Sequence, residues 1–400
     1  MKELNIACDV LIAGGGISGV AAAVSAARSG AQTILIEKTR ILGGTSTSAL
    51  LRHICGLYLN GDEYPSETLN NGFTDEVVAG LSKLSPHSKV IKTGKVFVLP
   101  YSGVDLMQVM SSLCRSESNL SVFLDACAVS VSCAGQTIKE VLIYMSGNKR
   151  RIFPKAVIDC TGNGEVAYMA GASFEETPGG ESQLAGYTIR LRGLHTEDEM
   201  LPVKVPYYMA QAVSEGLLPS SFKFTVFSSG DLPDEGYLKF GIEAPFNLKY
   251  HAAFERDAHN ALRYLADKIP SFKGCLIVET SKGVFEREGR RICGQYMLTG
   301  EDVLRARKFP EGGVKNSWPI ELWNRKRGSV YKYVKANDYY EIPLSCQKSI
   351  DIKNLLTAGR CISVTHEALG STRVMGTCMA LGEQAGRAAA GMARERDYAG

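Results

Sequence analysis

Four hundred residues with 45% hydrophobic and 22% charged content describe an ordinary globular chain, long enough for two or three structural units with substantial cores. A formal net charge of +3 is too mild to drive nucleic-acid binding. Eleven dispersed cysteines, without a C-x-x-C pair or His/Cys ligand spacing, argue against a disulfide framework, an iron–sulfur cluster or a metal centre.

The first elements form one unit. A strand-like run, Ala7 to Ala13, leads into Gly14-x-Gly16-x-x-Gly19, a small-residue helix from Ile17 to Arg28, and a second strand, Thr33 to Ile36. That is a β-α-β unit built for a dinucleotide. Gly14 and Gly16 let the backbone turn sharply and approach a pyrophosphate. Gly19, Ala23 and Ala27 share one helix face and allow close packing on the sheet. The helix opening at Ile17 and Ser18 offers free N–H groups and a positive dipole end to phosphates.

Glu37, followed by Lys38, ends the second strand. A carboxylate there accepts hydrogen bonds from both hydroxyls of an adenosine ribose and repels a 2′-phosphate; the plain alternative is a residue that merely starts a solvated turn. Gly43-Gly44-Thr45-Ser46-Thr47-Ser48 then forms a flexible, hydroxyl-rich loop suited to following a long cofactor. NAD-dependent dehydrogenases need no such loop, so FAD is the expected cofactor. The most apolar stretch, Val10 to Ala27, is broken by four glycines and reads as strand plus helix rather than a membrane span. The chain starts almost directly in a strand, with no room for a secretory leader, and a cytoplasmic location is expected.

From Gly44 to about Tyr101, Gly, Pro and Ser punctuation suggests loops with short helices. Asp105 to Arg115 has the spacing of a helix with one buried face. Three strand-like runs follow, Ser121 to Val131, Ile138 to Met145 and Arg151 to Ile158. The third opens into Asp159-Cys160-Thr161-Gly162-Asn163-Gly164 and a short helix to Ala170, again the shape of a nucleotide-binding edge or, more plainly, a β-turn. Short basic clusters at Lys149-Arg150-Arg151, Arg290-Arg291 and Arg325-Lys326-Arg327 read as solvated loops or helix ends.

The middle, from about Ala172 to Ile342, lacks a Gly-rich fingerprint. It carries Tyr207, Tyr208, Phe222, Phe224, Phe227 and Tyr237 and a helix pattern from His251 to Ile269. It reads as an inserted substrate-facing domain that would close an apolar pocket. Near the C-terminus, Asn354 to Arg360 reads as a strand ending in a tight turn, then Thr365-His366-Glu367-Ala368 and Gly370 to Gly376. A helix rich in Ala and Gly closes the chain. Gly costs roughly 1 kcal/mol against Ala in a helix interior, so Gly382 and Gly386 signal a packing demand. A helix starting at Gly376-Thr377 would aim its dipole at a flavin ring; a plain packing helix is the alternative.

These segments resemble the family of FAD-dependent oxidoreductases distantly related to the fumarate reductase and succinate dehydrogenase flavoprotein subunits, within the glutathione-reductase-like flavoproteins. The resemblance rests on Gly14 to Glu37 with Gly43-Gly44-Thr45, Ile158 to Gly171, Trp318 to Glu321 with Ile342-Pro343, and Leu355 to Ala390. It implies an α/β fold: a Rossmann-like FAD-binding domain split into residues 1–171 and 343–400, with an inserted α+β substrate domain, 172–342. Gly14, Gly16, Ile17, Ser18, Gly19, Glu37 and Lys38 would hold the ADP half. Gly43, Gly44, Thr45 and Ser46 would lie near the phosphates or ring, Ala128 near adenine, and Thr161 and Gly162 at the first turn. Gly359, Arg360, Arg373, Gly376 and Thr377 would reach toward the ribityl chain and ring. Two positions depart from the wider pattern, which favours Asp where this chain has Arg360 and Asn163.

The resemblance makes His366 and Arg373 the leading catalytic pair, since a His and an Arg near the C-terminal flavin segment bind substrate carboxylate in the fumarate-reductase relatives. His366 as a structural turn residue and Arg373 as a cofactor ligand remain open. Arg52 and His53 are further candidates after the Ser/Thr-rich loop; Cys55 reads as structural. That loop contains no His, so noncovalent FAD is expected. The expected activity is hydride transfer between a small organic substrate and flavin, with a separate electron acceptor or donor and neither nucleic acid nor membrane as partner; an oligomer is possible. A flavin monooxygenase or oxidase, and an FAD-binding RNA-modification or structural subunit with little turnover, are the alternatives.

Overall fold

The computed structural model describes residues 4–178, 180–195, 198–243 and 248–398. Strand β1 (Leu4–Ala13) turns through the glycines into helix α1 (Ile17–Arg28) and strand β2 (Thr33–Ile36), the two strands pairing in parallel. The turn depends on missing side chains. Gly14 has φ +101°, and a Cβ on Gly19 would lie 1.8 Å from the Gly14 carbonyl oxygen. Between residues 44 and 101 the chain holds a helix, α2 (Phe73–Leu84), and a small antiparallel sheet of His53–Ile54, Val96–Pro100 and Ile91–Thr93. These strands are too short and irregular to show a period of two in sequence.

Helix α3 (Gly103–Arg115) precedes β3 (Leu120–Phe123), β4 (Ala126–Ala134), β5 (Thr137–Met145) and β6 (Asn148–Asp159). The run expected as one strand from Ser121 to Val131 is two. Asp125 takes φ 50°, breaking the chain between β3, which pairs with β2, and β4, which pairs with β5. The sheet runs β3-β2-β1-β6-β5-β4. The long β6 uses one edge for β1 and divides the other between β5 and the distant strand Leu355–Thr357, which joins it in parallel. The Rossmann-like α/β arrangement expected from the sequence is therefore present, with strands drawn from both ends of the chain.

The second sheet contains β7 (Ala185–Arg192), β8 (Val226–Ser229), β9 (Glu235–Ile242) and β10 (Leu276–Thr280), in the order β8-β9-β7-β10 and antiparallel throughout. With α4 (Leu201–Ser214) and α5 (Leu248–Lys268) it encloses its own core, built on Tyr187, Phe222, Phe240, Phe254 and Phe272. Most of the middle region's buried aromatics are spent on this core. A hairpin of β11 (Ile320–Asn324) and β12 (Gly328–Lys332) adjoins it, the Leu184 N–H donating to Trp323 O at 3.0 Å.

After strand β13 (Leu355–Thr357) come helices α6 (His366–Thr372) and α7 (Met375–Tyr398). Helix α7 lies against α1 with backbones almost touching. A Cβ on Gly382 would sit 2.1 Å from Ser18 O, and one on Gly386 2.3 Å from Ala22 O. The glycines in α7 answer to this contact. Among the described residues no helix is long and apolar enough to cross a membrane.

Candidate functional site

The cofactor-facing candidates gather where β1, β6 and β13 end. The Gly14 N–H donates to Ile36 O and the Gly43 N–H to Gly15 O, both at 2.8 Å, drawing the hydroxyl-rich loop onto the glycine turn. Helix α1 starts at Gly16 without a side-chain cap, so its first-turn N–H groups are left for a ligand. A Cβ on Gly16 would meet nothing within 4 Å, so open space lies in front of the turn. Glu37, 6% exposed, accepts from the Gly15 N–H at 2.7 Å and from the Thr39 N–H at 2.8 Å. An uncapped helix, an open approach and a buried carboxylate beside it fit the ADP half of FAD. Lys38 and Thr45 are exposed; Ser46 is buried, its hydroxyl bonded to Gly43 O and its carbonyl accepting from Tyr101. Ala128 lies on β4, two residues past the Ala126 N–H that donates to Glu37 O.

The second turn is held by Asp159, which accepts from the Thr161 N–H, the Thr161 hydroxyl and the Ala167 N–H at 2.7–2.9 Å. Burial nevertheless raises its carboxyl pKa. The two departures from the family pattern meet each other here. Arg360 donates to Asn163 Oδ1 at 2.6 Å, to Gly162 O at 3.0 Å and to Glu286 O at 2.6 Å. An Asp at position 360 would lose this pairing, whereas one at 163 would keep it as an ion pair. Gly359, at φ +83°, leaves room for the Ser18 hydroxyl. Gly376 donates to Cys55 O at 2.8 Å, and a Cβ there would collide with the Gly56 backbone, so its lack of a side chain serves the close passage of residues 55–57. The neighbouring Thr377 hydroxyl is buried without a partner.

The four catalytic candidates separate into three places. Arg52 pairs with Asp231 and Ser229 O and covers the Tyr237 ring, joining the segment before His53 to the β8–β9 turn. His53 pairs in register with Pro100, and burial followed by Arg52 lowers its pKa. His366 at the start of α6 meets Glu288 at 3.0 Å and Thr177 at 3.3 Å. Arg373 at the end of α6 donates to Glu321 O at 3.1 Å and approaches Gln183 Oε1 at 3.5 Å. Gln183 connects the last two, because its N–H donates to Glu288 at 3.1 Å.

Around Arg373 the structure assembles residues that sequence reasoning missed: Lys239 from β9, Arg287, Glu321 from β11 and Gln183. Burial, Arg287 and Arg373 push Lys239 down to about 7. Burial alone would raise Glu321, but Arg373, Lys239 and Arg287 outweigh it and lower its pKa. Burial raises the Cys55 thiol to about 12, which makes it a poor nucleophile. The surroundings of Arg373 are thus rich in charge. These residues have no shared motif; an alternating strand such as β9, with Lys239 between buried Leu238 and Phe240, was the available signal. Among the described residues no group of His, Cys, Asp and Glu could hold a metal.

A family model described as FAD dependent oxidoreductase matches residues 9–398. No curated protein matches the sequence. Among solved structures, BexE, studied for oxidation during BE-7585A biosynthesis, is similar at 13% identity and TM-score 0.51, over 97% of this chain and 63% of that one. A geranylgeranyl bacteriochlorophyll reductase-like protein from Thermoplasma acidophilum has 14% identity and TM-score 0.48, over 99% of this chain and 80% of that one. The flavin-dependent brominase Bmp2 has 13% identity and TM-score 0.48, over 97% and 81%. At 13% identity the likeness to BexE is one of fold alone.

Proposed function

We propose that this chain, which belongs to the FAD-dependent oxidoreductase family, transfers a hydride between a small organic substrate and noncovalently held FAD, and that a separate acceptor or donor completes the cycle. Within the family we place it nearest the fumarate-reductase-related, glutathione-reductase-like flavoproteins, and in the cytoplasm, a location that its free thiols favour. Residues 1–171 and 343–400 form the cofactor-binding part and residues 172–342 the substrate-facing part.

In this reading Gly14, Gly16, Gly19 and Glu37 hold the ADP half, and Gly43 to Ser46 with the start of α7 border the ring. The bound group supplies the site for two-electron exchange. Arg373 orients the substrate against it. His366, fixed by Glu288, carries the accompanying proton, and the hairpin of β11 and β12 excludes water. The observation that carries the reading is the chain of contacts from His366 through Glu288 and Gln183 to Arg373, set where the second sheet meets the cofactor-facing segment.

The test is anaerobic incubation of the purified yellow protein with a panel of small organic acids, alcohols and amines, followed by flavin absorbance. At least one donor is expected to bleach it, and His366→Ala to stay yellow but bleach at least tenfold more slowly. Unchanged bleaching in that variant removes His366 from the reaction. A flavin that no donor reduces removes the hydride reading.

A further inference from the structure

A cavity of about 320 Å³ opens at the other end of β13 from the Gly359 turn. Leu355, the first residue of β13, forms part of its wall, and Lys348, Ser349 and Lys353 from the preceding segment form most of the rest. Because β13 runs parallel to β1 and β6 in the sheet, the cavity lies at the amino ends of strands whose carboxyl ends carry the glycine turns. Backbone hydrogen bonds fix its walls. The Lys353 N–H donates to Gln136 O at 2.8 Å, the Gln295 N–H to Lys348 O at 3.1 Å and the Ser349 N–H to Leu355 O at 3.1 Å. Four separate segments, including Met392 of α7, are thus held around one space before any ligand arrives. Binding pockets span about 300 to 1,000 Å³, so this one suits a single small molecule and not a dinucleotide.

The polar groups of the lining are donors. Lys348 is half-buried and Lys353 exposed, no carboxylate lines the cavity, and among the described residues neither ammonium has an ion-pair partner. Ser349 is 6% exposed. Its hydroxyl oxygen accepts the Asp351 N–H at 3.3 Å and the Ile352 N–H at 3.2 Å, which occupies both lone pairs. Its O–H donates to no group among the described residues, and a buried hydroxyl normally spends its proton on an acceptor. Two ammonium groups beside a spare buried donor call for an anion with several acceptor oxygens. Lysine acts as a point charge, whereas the arginine fork that matches a planar carboxylate is missing from this lining. Two such charges match a phosphate dianion, and a carboxylate would leave one of them unanswered. The remaining wall is apolar. Ile350 is 60% exposed at the rim, with Leu355 and Met392 beside it, so a bound molecule that covers them gains from a carbon arm.

We infer that Lys348, Lys353 and Ser349 bind the phosphate of a small organic phosphate monoester, whose carbon arm lies against Ile350, Leu355 and Met392. The site is separate from the glycine turns and does not rest on the flavin reading above. Its occupant bridges the start of β13 and the far part of α7, two elements whose other ends are proposed to meet FAD.

Purified FAD-loaded protein is titrated calorimetrically with butyl phosphate, inorganic phosphate, butyrate and butanol, at constant ionic strength and about pH 8, where a phosphate monoester is a dianion. Loading with FAD keeps added phosphate out of the glycine turns. Butyl phosphate is expected to bind more tightly than inorganic phosphate or butyrate, and butanol not to bind. Lys348→Gln and Lys353→Gln are each expected to weaken that binding by about tenfold or more, the scale of one charge-assisted contact. Lys353 is exposed, so its variant should fold even if the half-buried Lys348 proves less tolerant; Lys223→Gln, on the exposed surface, should bind as the parent does. Butyrate, butanol or inorganic phosphate binding as tightly as butyl phosphate, undiminished binding in Lys353→Gln, or an equal loss in Lys223→Gln each overturn the assignment. A yellow protein indifferent to butyl phosphate defeats this site and spares the flavin reading; a colourless protein that binds it through Lys353 does the reverse.

Discussion

In the proposed reading, Glu37 serves the fold and the cofactor together. Its two oxygens accept the Gly15 and Thr39 N–H groups, and a carboxylate has about four acceptor positions, so about two remain for ribose hydroxyls. Glu37→Gln turns an acceptor face into a donor and sets an NH2 against a backbone N–H. That variant is expected to lose FAD on gel filtration, read as the ratio of flavin to protein absorbance, and Glu37→Arg to lose more. Full occupancy in both would contradict the ribose role. Glu288 makes a different prediction. Burial works against its charge, but His366, Thr177 and the Gln183 N–H hold its carboxyl at about 2 against an ordinary 4.5. The folded value lies below the unfolded one, so the stability it confers is present above pH 4.5 and is lost as pH falls toward 2. Its size is on the order of 3 kcal/mol. The acid limb of melting temperature against pH should therefore be flatter in Glu288→Gln than in the parent between those values. An unchanged limb would show that Glu288 is not so stabilised.

At the scale of elements, the contact between α1 and α7 is the most demanding packing in the molecule. Every residue of α1 from Ile17 to Ala27 is buried, and Gly386 lets the facing backbone approach Ala22 O. Gly386→Ala gains helix propensity of about 1 kcal/mol but forces the helices apart, a cost of about 1–3 kcal/mol. The melting temperature is expected to fall. The half-buried Gly391, where a Cβ would meet nothing within 4 Å, is the control: Gly391→Ala should leave it equal or higher. This contact also marks what is legible in sequence. Ile17 to Arg28, Thr33 to Ile36 and the small-residue α7 follow from local period and composition, and their glycines announce close approach before any partner is known. The break at Asp125 is not legible, because a single left-handed residue inside an apolar run leaves no pattern. Nor is the meeting of Gln183, Lys239, Arg287 and Glu321. Each looks like an ordinary polar residue in its own segment, and only antiparallel pairing of β7 with β9, with the adjoining β11 hairpin, brings them to Arg373.

Across the whole molecule, the surface proposed to face the cofactor is assembled from the two ends of the chain. The glycine turn after β1 and the Gly359 turn after β13 lie on strands that flank β6 on its opposite edges, and α7 then packs on α1. A ligand spanning both turns stabilises the arrangement by mass action, about 2.7 kcal/mol at a hundredfold excess over its dissociation constant. Its effect should be local in a telling way. Hydrogen exchange measured with and without added FAD is expected to slow together in residues 14–48 and 359–377, which are remote in sequence. Helix α4 carries the exposed Val203 and Tyr207 and belongs to the second core, so its exchange should change little. Protection confined to the N-terminal segment would mean that the C-terminal strand and helix support the sheet without touching the cofactor, and Gly359, Arg360 and Thr377 would leave the site. Protection of both segments with none in α4 would fix FAD as the clasp between the chain's two ends.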